Sequence, residues 1–78
     1  MSEKDLLLWL CNLFEEPPGR LRSETSRDDV AAWDSLGVLT LMAALDAEFN
    51  VRLSGEQANA MACVGDILSI VRGHGKLS

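Results

Sequence analysis

The chain has 78 residues. That is enough for one domain and too little for a deep cleft with its own supporting shell, since folding at this size buries only about 60% of the unfolded surface. Twelve acids against seven bases give a formal net charge of −5, which disfavours binding to nucleic-acid phosphates and electrostatic docking on anionic membranes.

Hydrophobic residues make up 47% of the chain, mostly Leu, Val, Ala and Met, with no Tyr, a composition that favours packed helices over sheets. A first helix is predicted over residues 2–14. Ser2-Glu-Lys-Asp5 reads as a capping box. Leu6, Trp9, Leu10, Leu13 and Phe14 then recur at three- and four-residue steps to make one buried face. Pro17-Pro18-Gly19 cannot continue it and is expected to set its end. Residues 15–34 form a long connection rich in charge and turn formers, in which Leu21, Val30 and Trp33 are expected to pin the backbone onto the helices.

The second helix is predicted over residues 35–49, with Val38, Leu39, Leu41, Met42, Leu45 and Phe49 inward and Gly37, Thr40, Ala44 and Glu48 opposite. Asn50 suits a helix end, and Val51-Arg52-Leu53 is a short connector. Ser54-Gly-Glu-Gln57 is a second capping box, opening a short helix over residues 55–61 that carries Ala58 and Met61. A fourth helix, residues 64–72, turns Val64, Ile67, Leu68 and Val71 inward. Gly73 is expected to stop it, with Arg72 at its negative end and a tail over residues 73–78. The expected fold is all-α: a single domain of four helices, the third short, around one small core.

No stretch approaches the roughly 20 apolar residues that span a bilayer. Leu6–Phe14 is apolar, but it lacks the basic flank and small-residue cleavage site of a secretory leader. A monomeric cytoplasmic protein, neither inserted in a membrane nor bound to nucleic acid, is the expectation. Cys11 and Cys63 have no metal-ligand spacing, so no metal site is readable. Cys11 fits the first helix's core, and the sequence leaves a disulfide between the two open.

From Asp28 to Val71 seven acids face a single base, Arg52. This acidic stretch begins just ahead of Trp33-Asp-Ser-Leu-Gly37, where Ser35 stands at the mouth of the second helix. A serine nucleophile needs a base within reach and a group to orient that base. The only histidine, His74, lies between two glycines near the end of the chain, and no GxSxG elbow surrounds Ser35. Those absences argue against catalysis by this serine. It suits an acceptor of modification instead, because the free N–H groups and dipole of a helix N-terminus stabilise an attached phosphate. As a local pattern, Asp34 or Ser35 could equally be an ordinary N-cap.

The wider layout adds to this. Asp34-Ser35-Leu36 closes a long loop and leads into a helix ending Ala43-Ala-Leu-Asp-Ala-Glu-Phe49. The Phe49–Leu53 connector, a short third helix and Cys63-Val-Gly-Asp-Ile-Leu68 follow. Over nearly its whole length the chain thus resembles the acyl carrier protein family. The resemblance implies that a phosphopantetheinyl transferase attaches 4′-phosphopantetheine from coenzyme A to Ser35, making a phosphoprotein that is not itself an enzyme. Acyl or aminoacyl groups would ride on the arm as thioesters. The arm supplies the chemistry, while the protein supplies attachment and recognition.

The same resemblance implies docking of loading enzymes and downstream synthases or transferases on Asp34, Leu36, Thr40, Asp46, Glu48 and Glu56. It also implies shielding of the cargo by Leu39, Met42, Leu45, Phe49, Met61 and Ile67, residues that are otherwise ordinary core. Gly37, Thr40 and Ala47 on the second helix and Arg20, Arg22 and Arg27 in the first loop depart from general fatty-acid carriers. They resemble more a discrete carrier of a specialised route such as polyketide synthesis. The alternative is an unmodified adaptor of the same fold that docks a partner through the acidic second helix.

Overall fold

The computed structural model describes residues 1–77. Among them are four α-helices and a single 3₁₀ turn: α1 (Glu3–Leu13), the turn Arg27–Asp29, α2 (Ser35–Phe49), α3 (Gly55–Ala60) and α4 (Val64–Gly73). The fold is all-α. Ser78, the last residue of the expected tail, lies outside the described residues.

The capping box of α1 forms as the sequence indicates. Ser2 Oγ accepts the Asp5 N–H at 3.2 Å, and Asp5 Oδ2 accepts the Ser2 N–H at 3.3 Å. At the other end the helix stops before the prolines rather than at them. Glu15 takes a left-handed conformation (φ 57°), and the Glu16 N–H turns back to the Cys11 carbonyl at 2.8 Å. That is a Schellman ending, built on glutamate where glycine is the usual choice. Pro17 and Pro18 only keep the helix from resuming. Leu6, Leu10, Cys11 and Phe14 point into the core.

The long first loop is ordered because α4 needs it. The first N–H groups of a helix have no partner inside it. Here the Val64 N–H reaches the Thr25 carbonyl at 2.9 Å and the Gly65 N–H reaches the Ser23 carbonyl at 2.7 Å. In return the Arg27 N–H donates to the Ala62 carbonyl at 2.9 Å. Ser26 and Cys63 face each other as a single antiparallel bridge pair. Asp66 Oδ2 accepts the N–H groups of Ala62 and Cys63. Leu21, Val30 and Trp33 are buried, as the sequence suggested, and the Trp33 ring stacks on Phe14 with centroids 5.5 Å apart.

The buried face of α2 is rotated from the one expected. Gly37, Val38, Leu41 and Leu45 form it, Met42, Ala44 and Phe49 flank it, and Leu39 is 61% exposed. The physical reason is the close passage of the loop over Gly37. That contact turns the glycine inward and carries Leu39, two positions on, out into solvent. Asn50, left-handed at φ 55°, ends the helix, its N–H bonded to the Asp46 carbonyl at 3.0 Å.

The Ser54–Gln57 capping box opens α3, and Met61 leaves it in an extended conformation. Val64, Ile67, Leu68 and Val71 of α4 are buried. Its end also differs from the expectation: Gly73 is still helical and His74 caps the helix. Gly75 (φ 74°) makes the turn, with the Lys76 N–H returning to the Val71 carbonyl. Arg72 lies in the last turn of α4, as expected, and its guanidinium also meets Glu3 at 3.5 Å, joining the end of α4 to the start of α1. Each fully buried leucine of this core contributes about 1.5–3 kcal/mol.

Candidate functional site

Asp34, in an extended conformation, is the N-cap of α2. Its Oδ1 accepts the Gly37 N–H at 2.9 Å, and its carbonyl accepts the Val38 N–H at 2.9 Å. Ser35 is therefore released from capping. It is the first helical residue and is exposed, and among the described residues its hydroxyl makes no hydrogen bond. The N–H groups of Ser35 and Leu36 likewise have no backbone acceptor among those residues. An exposed hydroxyl thus stands beside two unused donors at the positive end of a 15-residue helix.

Two residues that sequence reasoning did not assign a role hold this position. Arg27 is half-buried, and its Nε donates to the Trp33 carbonyl at 3.2 Å, immediately before the cap. Its own backbone N–H is bonded to Ala62, so it is a strut from the α3–α4 junction to the acceptor turn. Gly37 lies under the loop, and a Cβ there would overlap the Ala32 carbonyl oxygen. A glycine three residues into an otherwise apolar helix was the available signal of such a close approach. Arg27, one of several loop arginines, gave no signal.

The Trp33 indole N–H is buried and has no partner among the described residues. Its ring is placed by stacking on Phe14, and the segment ahead of Ser35 is set by packing as well as by the Arg27 bond. His74 is an exposed residue capping α4 and supplies no base at the site. Among the described residues no cluster of His, Cys, Asp or Glu could hold a metal. Cys11 and Cys63 are both free thiols, which answers the disulfide left open by the sequence.

The residues expected to dock partners are all exposed, but they are not equally available. Leu36 is 71% exposed beside Ser35. Thr40 donates its hydroxyl to the Leu36 carbonyl at 3.1 Å. Asp46 is paired with Arg52 at 3.3 Å, and Asp34 is committed to its cap. Glu48 and Glu56 carry no partner among the described residues. Of the residues expected to shield cargo, Leu45, Met61 and Ile67 are buried in the core, and Met42 and Phe49 are half-buried. Phe49 meets Trp9 edge-on, with centroids 4.9 Å apart. Leu39 faces solvent, so the expectation that it lies among the core residues is corrected.

No protein-family model matches the chain. Over 54 residues it is 32% identical to the acyl carrier protein of Clostridium acetobutylicum, covering 69% of this chain and 70% of that protein. The chain belongs to the acyl carrier protein family. It is also 27% identical over 75 residues to the acyl carrier protein of Prochlorococcus marinus, covering 91% and 94% of the two chains. The solution structure of holo acyl carrier protein from Geobacter metallireducens superposes with a TM-score of 0.76 at 27% identity, covering 94% of this chain and 85% of that one. A Mycobacterium tuberculosis structure assigned as an acyl carrier protein gives 0.77 at 21% identity, covering 91% and 96%, and shows the same fold. The names of these relatives describe carriers of acyl groups.

Proposed function

We propose that Ser35 accepts 4′-phosphopantetheine from coenzyme A, by the action of a phosphopantetheinyl transferase, and that the chain carries acyl intermediates on that arm. The observation that carries this reading is the division of labour at the start of α2: Asp34 caps the helix and leaves the Ser35 hydroxyl exposed and unpartnered. The residues present suit the group. The Ser35 and Leu36 N–H groups and the helix dipole stabilise a phosphodiester at this point, and the surrounding backbone is already braced by Arg27 and Gly37. When bound, the arm supplies the thiol that holds the cargo. The chain's own residues attach it, orient its root and present it.

Partner enzymes read the region around the acceptor. Leu36 and Leu39 give an apolar contact, and Glu48 and Glu56 add negative charge that steers basic partners. Uncharged Thr40 and Ala47 on α2 and the single acid, Glu56, of α3 fit a discrete carrier of a specialised pathway better than the carrier of a general fatty-acid synthase.

The test is an intact mass after incubation with coenzyme A and a broad-specificity transferase. A gain of one phosphopantetheine that is absent in Ser35→Ala supports the proposal. No gain with several transferases would overturn it.

A further inference from the structure

Among the grooves of the described surface, three differ in their position relative to Ser35. One runs between α3 and α4, past Gln57, Met61 and Ile70. A second lies between α2 and the connector after it, past Leu39, Met42 and Leu53. The third lies where the end of α1, the first loop and the start of α2 meet. Its walls are Leu13, Phe14, Ala32 and Leu36, with Asp34 and Thr40 also lining it, and it holds about 280 Å³. Of the three, only this one is lined by both chain neighbours of the acceptor serine.

We infer that this α1–α2 groove seats the pantoyl end of the arm, an inference that rests on the reading of Ser35 given above. The chemistry of the arm's root decides it. Beyond the phosphate come a methylene and then a quaternary carbon bearing two methyl groups, followed by a hydroxyl-bearing carbon and the first amide. The methyl pair is the first bulky apolar group along the arm, and a groove walled by Leu13, Phe14, Ala32 and Leu36 removes it from water. Thr40 and Asp34 line the same groove, and the Thr40 oxygen and the Asp34 Oδ2 left over from the cap can accept from the following hydroxyl and amide. Phe14 is 2% exposed and backed by the stacked Trp33 ring, so the seat is rigid. The tether makes the encounter intramolecular, so even weak contacts are populated. Held there, the arm leaves Ser35 on the α1 side of α2, and Leu39, Met42 and the outer surface of the 71% exposed Leu36 stay free for a partner enzyme.

The experiment uses protein modified with pantetheine whose two methyl groups are carbon-13 labelled, after an intact mass has established modification. The expected result is nuclear Overhauser contacts from both methyls to Leu13, Phe14 and Leu36, with methyl resonances displaced from those of free coenzyme A. In Thr40→Trp, which fills the groove, those contacts and the displacement are lost, read only on protein whose intact mass shows the arm attached. Modified protein whose methyls resonate as in free coenzyme A, or contact Met42 and Leu53 instead, would overturn the assignment. Absence of the mass gain overturns the reading of Ser35 itself, and the groove assignment with it.

Discussion

Replacing Gly37 with alanine tests the close packing that orients the acceptor turn. In an ordinary helix interior the change stabilises by about 0.5–1 kcal/mol, because glycine loses more backbone freedom on folding. At Gly37 the new methyl would overlap the Ala32 carbonyl oxygen and come within 2.9 Å of its carbon. Both are backbone atoms, so no side chain can swing aside. Forced overpacking costs about 1–3 kcal/mol, and with both clashing atoms on the backbone the upper part, about 2–3 kcal/mol, applies, which leaves a net loss of about 1–2.5 kcal/mol. For a domain of this size each kcal/mol lowers Tm by about 4–8 °C. The displaced segment runs directly into Trp33, Asp34 and Ser35, so modification of Ser35 slows as well.

The assay pairs urea unfolding, read as a lower midpoint at constant slope, with a mass time course of modification. Gly73→Ala is the control, because nothing lies within 4 Å of a Cβ placed there. It leaves stability unchanged or slightly raised. A Gly37→Ala protein as stable as its parent and modified at the same rate would refute the reasoning.

Three further substitutions probe neighbouring contacts. Asp34→Ala removes the α2 cap and costs about 0.5–2 kcal/mol in thermal unfolding, whereas Asp34→Asn keeps most of the stability; equal losses would show that the cap is not the cause. Arg27→Met removes the bond to the Trp33 carbonyl and costs about 1 kcal/mol. Hydrogen exchange should then quicken at the Trp33 and Gly37 amides before Leu10 responds, and a uniform change across all three would contradict the strut. Glu15→Gly relieves a left-handed glutamate and raises stability by about 0.5–1 kcal/mol; a fall in Tm would show that the Glu15 side chain has a stabilising role at this turn.

Local chemistry was the most legible part of the sequence. The capping boxes at Ser2 and Ser54 and the helix end at Asn50 depend on residues within a turn of one another, and each forms as read. The loop anchors Leu21, Val30 and Trp33 were also legible, because apolar residues in a polar stretch have few other uses. Misreadings arose where distant backbone intervened. Periodicity alone placed Leu39 inward, and the loop carbonyl packed on Gly37 turned that face away. Likewise Gly73 and Gly75 looked alike in sequence, and only the bond from Lys76 to Val71 distinguishes the one that turns the chain. At the candidate site, Asp34-Ser35-Leu36 stood out by its place before the second helix and by the family resemblance, but which residue caps and which is left free was a matter of geometry.

The stitching of the first loop onto α4 divides that loop into two parts with different tolerance for engineering. Residues 23–33 are tied down by backbone bonds to Ala62, Val64 and Gly65 and by buried Val30 and Trp33, so an added residue there would shift the Ser35 turn. Residues 17–20 are exposed, held by a turn from the Arg20 N–H to the Pro17 carbonyl and by contacts of the exposed Arg20 guanidinium with Glu16 and with the Asp29 carbonyl at 3.5 Å. An affinity tag, a fluorescent reporter or new chain termini inserted at Pro18–Gly19 would leave every anchor of the acceptor segment in place. That short tip is where the carrier can be immobilised or watched while it works.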